Sequence, residues 1–259
     1  MTTAHADQAR GPMLLSGKTA VVTGSNRGIG RAVIETFAEQ GAEIIACARA
    51  ESPEFTESLA ALAARTGVTI TPVYFDLTDE EQIKAAVRTI IGLKRPIDIL
   101  VNNAGIATGS LFQMTPMKDL RRLFDVNFFA PLLFSQGISR YMARAKKGSI
   151  INIASTAGLL ADAGTTAYGA SKAALIFATR TMATELGGVN IRVNAIAPSV
   201  TKTAMYDQMD EKARTQLVER SALKRPAEVA EIANVALFLA SDLSSYVTGQ
   251  IIRADGGQS

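Results

Sequence analysis

The 259-residue chain contains no tryptophan, one cysteine and one histidine, and aromatic residues make up only 6% of it. A lone thiol, Cys47, excludes an internal disulfide framework. The only histidine, His5, stands in the leading segment, so neither a Cys/His zinc cluster nor a Ser-His-Asp triad can be assembled, and no metal site is expected. No apolar run approaches the roughly 18 to 20 residues that a membrane span needs. The opening MTTAHADQARGPM also lacks the apolar core of a secretory signal. A soluble protein of the reducing cytoplasm, with no membrane partner, is therefore expected. Lysine and arginine exceed aspartate and glutamate by 27 to 24, a net charge of +3. The basic residues are dispersed and no aromatic series interleaves them, which argues against nucleic acid as a partner and leaves room for a phosphate-rich cofactor.

Hydrophobic residues at 47% and charged residues at 20% fit a globular protein. After the leading segment, short β-branched runs alternate with helical patterns. Candidate strands are Thr19–Thr23, Glu43–Cys47, Thr69–Phe75, Asp98–Val101, Ser149–Ala154, Ile191–Ala195 and Gln250–Arg253, each apolar enough to be buried on both faces. Between the first two, Ile29, Val33 and Phe37 recur at helical spacing and Gly41 stops the helix. The repeated βαβ pattern predicts an α/β fold, a doubly wound parallel sheet of the Rossmann type with about seven strands and helices on both faces. No linker, repeat or composition shift divides the chain, so residues 1–14 are expected to form a flexible tail and 15–259 a single domain. Ligands of such a sheet sit beyond the C-terminal ends of its strands, and the loops there carry the candidate chemistry.

The first of these loops is TGSNRGIG, Thr23 to Gly30. Gly24, Gly28 and Gly30 remove side chains where the turn is tight, and Ser25, Asn26, Arg27 and Ile29 complete a loop whose backbone N–H groups can face phosphate at a helix N-terminus. A merely tight strand-to-helix turn would also explain the glycines; their place in the first βαβ unit favours dinucleotide binding. At the end of the second strand, Ala48 stands where a ribose-binding carboxylate would be and Arg49 follows it. An arginine fork can hold a 2′-phosphate, with Arg27 approaching from the other side, so NADP(H) is expected over NAD(H), the alternative being two solvated surface arginines. Asp76 and Leu77 follow the third strand and NNAG, Asn102 to Gly105, the fourth. Asp76 could accept from an adenine amino group or cap the helix beginning near Thr78. The small Ala104–Gly105 pair would let backbone lie against the ribose, beside Asn103.

Strand five ends in IASTAG, with Ser155 at its tip, thirteen residues before Tyr168 in YGASK. Tyr168 and Lys172 share one helical face. Asn127 lies inside the apolar segment LFDVNFFAPLLF, expected as a helix, where an amide either serves a site or satisfies a kinked backbone. Taken singly, Ser155 could be a turn residue and the Tyr/Lys pair a surface feature. In order and at their spacing, TGSNRGIG, NNAG, Asn127, Ser155, YGASK, NAIAPSVTKT and YVTGQIIRADGG resemble the short-chain dehydrogenase/reductase family over nearly the whole chain, from about Gly17 to Gly257. The resemblance implies that Asn127, Ser155, Tyr168 and Lys172 form a catalytic tetrad. Lys172 and the positive oxidised nicotinamide would lower the phenol pKa so that Tyr168 exchanges a proton with a carbonyl or alcohol oxygen. Ser155 would hydrogen-bond the same oxygen, Lys172 would also hold the nicotinamide ribose, and Asn127 would help retain a water near Lys172. Pro198, Val200 and Thr203 would serve the cofactor from the loop after strand six, where Ser199 replaces the family's usual glycine.

The same resemblance assigns substrate choice to residues 159–166 and to the segment from Thr201 to about Arg225. Leu159, Leu160, Met205, Tyr206 and Met209 offer an apolar lining with no obvious charged anchor, or else cover core or a subunit contact. Substrate contacts are expected from Ser155, Leu160, Tyr168, Met205 and Tyr206. Within the family the chain looks most like the 3-oxoacyl-acyl carrier protein reductases, which use NADPH, and Arg140, Arg144, Lys146 and Lys147 form a basic stretch that could meet an acidic carrier protein. Thr184, however, lies where those reductases commonly carry arginine. A free ketone, steroid-like alcohol or polyol is the alternative substrate, and a non-enzymatic dinucleotide sensor the remote one. The resemblance also implies a homotetramer.

Overall fold

The computed structural model describes residues 13–258. The chain alternates strand and helix from the start: β1 (Thr19–Thr23), α1 (Gly28–Glu39), β2 (Glu43–Ala48), α2 (Pro53–Thr66), β3 (Ile70–Tyr74), α3 (Glu80–Gly92) and β4 (Ile99–Asn102). Then follow α4 (Met117–Phe124), α5 (Ala130–Ala145), β5 (Gly148–Ile153), α6 (Thr166–Leu186) and β6 (Ile191–Pro198), and last α7 (Ala204–Asp207), α8 (Glu211–Arg220), α9 (Val229–Ala240) and β7 (Ile251–Ala254). The seven strands form one parallel sheet in the order β3-β2-β1-β4-β5-β6-β7, the doubly wound arrangement expected.

Period-two alternation sends the strands' apolar side chains to two cores. Ala20 and Val22 of β1 pack with Val33 and Phe37 of α1, Leu59 of α2 and Ala236 of α9 on one face. On the other, Val21 packs with Ile83 and Ile90 of α3 and with Phe134 and Ile138 of α5. Each of these fully buried large side chains contributes about 1.5–3 kcal/mol of transfer free energy, which fixes the helices on their faces.

Two strand readings need correction. β3 and β7 are not buried on both faces: they are the sheet's edges, and residues along both remain partly accessible. Pro72 is tolerated in β3 because an edge strand can spare an N–H. β6 runs three residues past Ala195, since Ile196, Ala197 and Pro198 pair with Ile252, Arg253 and Ala254. That extension carries β6 toward the loops that follow β1 and β5. Residues 1–12 of the expected tail lie outside the described residues; within its last part, the Leu14 N–H donates to Gln40 Oε1 at 3.1 Å and Leu15 is fully buried.

Candidate active site

The sheet order reverses between β1 and β4, and the loops that leave these strands diverge there. Their approach is close: a Cβ on Gly24 would lie 2.9 Å from Ala104 Cα, and one on Gly30 would lie 2.2 Å from the Gly24 carbonyl oxygen. Gly24 also has φ +64°, so both constraints demand glycine there. Asn103 fastens the junction, its amide donating to the Thr23 carbonyl at 2.9 Å and the Gly24 carbonyl at 3.1 Å, while the Thr23 hydroxyl accepts from the backbone N–H of Asn103 and of Ala104.

This loop delivers the chain to the N-terminus of α1, which has no side-chain cap and no acidic residue in its first turn. By contrast Ser52, Asp79 and Asp210 cap α2, α3 and α8. The free end of α1, flanked by exposed Asn26 and Arg27 and half-buried Gly28 and Ile29, fits an anionic dinucleotide phosphate. Ser25 is different: it is fully buried and its hydroxyl donates to the Cys47 carbonyl at 3.0 Å, so its side chain locks the loop to β2. Arg49, at the exposed end of β2, is near enough to Asp76 to help hold that carboxyl below its ordinary range, although the Thr78 backbone N–H is the larger cause. Asp76 Oδ1 accepts from the Thr78 N–H and hydroxyl, both at 2.8 Å, whereas the cap of α3 is Asp79. Asp76 therefore closes a local turn rather than capping the helix. Leu77 packs under the adjacent core, and Ala104 is half-buried with Gly105 exposed beside it.

The second half of the site gathers around Gly105. A Cβ there would stand 3.1 Å from Asn127 Oδ1 and 3.4 Å from Lys172 Nζ. The segment bearing Asn127 is not a continuous α-helix: α4 ends at Phe124, residues Asp125–Phe129 form a π-helical turn, and α5 begins at Ala130. The buried Asn127 amide accepts from the Ile106 N–H and donates to the Ile106 carbonyl, both at 2.9 Å, and donates to Ser171 Oγ at 3.1 Å. It thus clamps the loop after β4 to the turn and to α6, close to the kinked-backbone alternative, and π-turns concentrate at functional sites.

Lys172 is buried, its Nζ donating to the Ile153 carbonyl at 2.8 Å and lying 6.0 Å from the centroid of the Tyr168 ring. Burial lowers its pKa to about 8. The phenol of half-buried Tyr168 shifts the other way: burial pushes it up from its ordinary value, and a hydrogen bond with Ser155 offsets part of the rise. The phenol pKa lies above its ordinary value rather than below it, because desolvation outweighs the Ser155 hydrogen bond. Ser155 itself, at the tip of β5 with extended backbone, accepts from the Ala157 N–H at 3.1 Å.

The loop after β6 closes the circle. Pro198 ends β6, Val200 is buried, and the methyl of Thr203 lies 3.4 Å from where a Gly28 Cβ would be. Thr203 caps α7, placing Met205 at 41% exposure and Tyr206 half-buried. The apolar substrate lining has charged neighbours after all: the Arg214 guanidinium sits 5.3 Å from the Tyr206 ring centroid, and Arg220 pairs with Asp162 in the loop that carries Leu159 and Leu160. The basic stretch is the larger correction. Arg140 and Arg144 lie on α5, which ends beside the N-terminal start of β5, so Arg144, Lys146 and Lys147 stand a full strand length, about 20 Å, from the Ser155 end. Lys147 is also paired with Asp98 at 3.0 Å.

Sequence reasoning passed over a buried network beneath the site. Asn102 Nδ2 donates to Ser135 Oγ and to Asn152 Oδ1, both at 2.8 Å, and Asn152 Nδ2 donates to Thr179 Oγ1 at 2.9 Å. The signal was present: Asn152, like Asn127, is an amide inside an apolar run.

A family profile described as enoyl-(acyl carrier protein) reductase matches residues 23–259. The 3-oxoacyl-(acyl-carrier-protein) reductase FabG of Thermotoga maritima is 41% identical over 245 residues, covering 95% of this chain and 99% of its own. The chain belongs to the short-chain dehydrogenase/reductase family. It is an oxidoreductase that acts between CH–OH and carbonyl groups. Two solved family members superpose closely. One is a Beutenbergia cavernae protein, assigned as an NAD(P)-dependent gluconate 5-dehydrogenase and holding NADP at low occupancy: TM-score 0.88, 33% identity, 95% of this chain and 98% of that one. The other is a 7α-hydroxysteroid dehydrogenase complexed with NADH and 7-oxoglycochenodeoxycholic acid: TM-score 0.87, 32% identity, 95% and 96%. Among the described residues no helix is long and apolar enough to cross a membrane.

The shift at Lys172 is testable without any ligand. Its folded-state pKa lies below the roughly 10.4 of an unfolded lysine, so the unfolded chain binds the extra proton between about pH 8 and 10.4. Stability relative to Lys172→Met should therefore rise as pH increases through that window and fall again as pH drops through about 8. Urea unfolding of both proteins at pH 7 and pH 9.5 reads the difference; a pH-independent difference would show that the ammonium is not desolvated.

Proposed function

We propose that this chain is an NADPH-dependent carbonyl reductase whose preferred substrate is a 3-oxoacyl thioester, reduced to the 3-hydroxyacyl form. The observation that carries this reading is that Asn127 and Lys172 meet at Gly105, with Tyr168 beside Lys172 and hydrogen-bonded to Ser155, on the same sheet edge as the uncapped start of α1. The dinucleotide would supply the hydride. Tyr168 gives its proton to the substrate oxygen as that oxygen gains charge, Ser155 donates a hydrogen bond to the same oxygen, and Lys172, beyond its bond to Ile153, would hold the nicotinamide ribose and stabilise charge on the phenol. Asn127, whose amide is committed to Ile106 and Ser171, positions the loop and Lys172, and a water beside Lys172 would refill the proton. Asn26 and Arg27 with the backbone of Gly24, Gly28, Ile29 and Gly30 would hold the phosphates, while Ser25, whose N–H and hydroxyl both donate to the Cys47 carbonyl, would fix the loop that presents them. Arg49 would hold the 2′-phosphate, Asp76 and Leu77 the adenine, Asn103 to Gly105 the ribose, and Pro198, Val200 and Thr203 the carboxamide.

The thioester is favoured by the Thermotoga maritima relative, and Leu160, Met205 and Tyr206 provide an apolar wall for an acyl chain. The basic stretch at the end of α5 lies at the opposite sheet edge from the site, so a carrier protein that delivers the thioester would dock at the α7–α8 side instead. A second reading, a free ketone, steroid-like alcohol or polyol, draws on the steroid- and gluconate-directed neighbours. The chain would work in the cytoplasm as a homotetramer built on α5, α6 and the C-terminal strand, where Phe129, Phe177 and Tyr246 are exposed large apolar side chains. Sedimentation mass reads this directly, and a monomer at micromolar concentration would remove it.

Tyr168→Phe should lower kcat by about 10²- to 10⁴-fold while NADPH affinity is retained. Substantial residual turnover would sink the proton-transfer role. Comparing acetoacetyl thioesters with free ketones and hydroxysteroids separates the two substrate readings, and a protein inert toward every thioester loses the first. Arg49→Ala should weaken NADPH by about 10-fold or more and NADH by much less, since a charge-assisted pair is lost only with the former. Equal losses for both cofactors would count against the 2′-phosphate role.

A further inference from the structure

The loop that follows β6 is held from two sides. On its outer side the Ala227 N–H donates to the Val200 carbonyl at 3.0 Å and the Lys202 N–H donates to the Ala227 carbonyl at 2.9 Å. On its inner side the Ser199 N–H donates to the Ala254 carbonyl at 3.4 Å, and the shorter hold is made by side chains: Ser199 Oγ donates to Gln258 Oε1 at 2.7 Å. Gln258 is 3% exposed, unusual for a glutamine near the end of a chain, and its Nε2 has no hydrogen-bond partner among the described residues. Leaving such a donor buried costs about 1–3 kcal/mol, so the surrounding turn must hold Gln258 in place.

It does so with specific means. Gly256 at φ +64° and Gly257 at φ +77° reverse the chain after β7, a path closed to other residues without strain. Asp255 Oδ1 accepts from the Gly257 N–H at 3.1 Å, and Arg253 pairs with Asp255 and donates to the Gln258 carbonyl. The Gly256 carbonyl accepts from Ser221 Oγ at 3.0 Å and from the Leu223 N–H at 3.1 Å. One turn thus grips both segments that border the site: residues 198–203 through Ser199, and the stretch after α8 through Ser221 and Leu223.

We infer that Ser199 and Gln258 form a strut by which the C-terminal turn sets the position of the Val200–Thr203 loop and couples it to the segment after α8, making both positioning residues for cofactor binding. The inference rests on the reading that this loop contacts the nicotinamide end of NADPH. The serine β-carbon at this place, where glycine would have carried no hydroxyl, is what permits the strut.

Hydrogen exchange of the ligand-free protein tests the strut, and NADPH titration followed by nicotinamide fluorescence tests its consequence. Ser199→Ala and Gln258→Ala should each speed amide exchange in residues 199–203 and 221–224. Each should weaken NADPH by about 3- to 10-fold, the worth of one buried hydrogen bond, with kcat at saturation changed less than KM. The double variant should be no worse than the weaker single, because the two groups act through one bond. Ser199→Thr, which keeps the hydroxyl, should restore most of the affinity. Unchanged exchange in both single variants, additive losses in the double, or faster exchange with unaltered NADPH affinity would each overturn the inference. A wild-type protein that binds no NADPH would instead overturn the proposed function; the exchange arm would still decide whether the strut exists, and NADH would then be the titrant.

Discussion

Two loops can meet at the switch between β1 and β4 only because glycine removes the atoms that would separate them. With Gly24 and Gly30 in place, the Asn103 amide reaches two carbonyls of the first loop and the Thr23 hydroxyl reaches two N–H groups of the second. This junction is short, half-buried and tied by four hydrogen bonds, and the rest of the site is arranged around it. It aims the uncapped N-terminus of α1 along the sheet edge, and it carries the chain from Asn103 into Gly105 and Ile106, where Asn127 takes hold. A change at the junction therefore reaches the phosphate end and the proton-transfer end together.

Much of this order was readable before any coordinates. The glycine loop, the strand ends and the Tyr168–Lys172 spacing obey local rules, periodicity and turn chemistry, which act over a few residues. What escaped depends on partners distant in the chain. Ser25 reads as part of a loop whose N–H groups face phosphate until the Cys47 carbonyl, 22 residues on, claims both its N–H and its hydroxyl. β3 and β7 read as buried strands because composition cannot say which strand lacks a neighbour. The π-turn at Asn127 is set by a backbone 21 residues away, at Ile106, and no helical periodicity marks it. The basic stretch after α5 reads as one surface with the site on paper, yet parallel topology places it at the opposite end of the sheet.

That topological distance bears on specificity. In a parallel sheet every strand-to-helix loop shares one edge and every helix-to-strand loop the other, so a partner that feeds the site must meet α7, α8 and the loops that carry Leu159 and Ile106. Two arginines on that rim already have partners, Arg214 against the Tyr206 ring and Arg220 with Asp162. Relatives named for an acyl carrier substrate, gluconate and a hydroxysteroid match this chain over nearly its whole length, as expected when a fold is kept and selection acts on the longer loops.

The electrostatics of the site's own residues give it a direction. In water a lysine and a tyrosine lose their protons at similar pH. Here desolvation drives them apart, Lys172 down to about 8 and Tyr168 up, because burial penalises the ammonium in one and the phenolate in the other. Near neutral pH both therefore hold protons, which is the state a reductase needs in order to protonate a carbonyl oxygen. Alcohol oxidation needs phenolate, and burial opposes it unless a further positive charge enters beside the ring. Only the oxidised nicotinamide brings that charge, whereas the reduced one does not. On the proposed reading, the pocket's own residues favour proton donation by Tyr168, and an oxidised nicotinamide would favour the phenolate that alcohol oxidation needs.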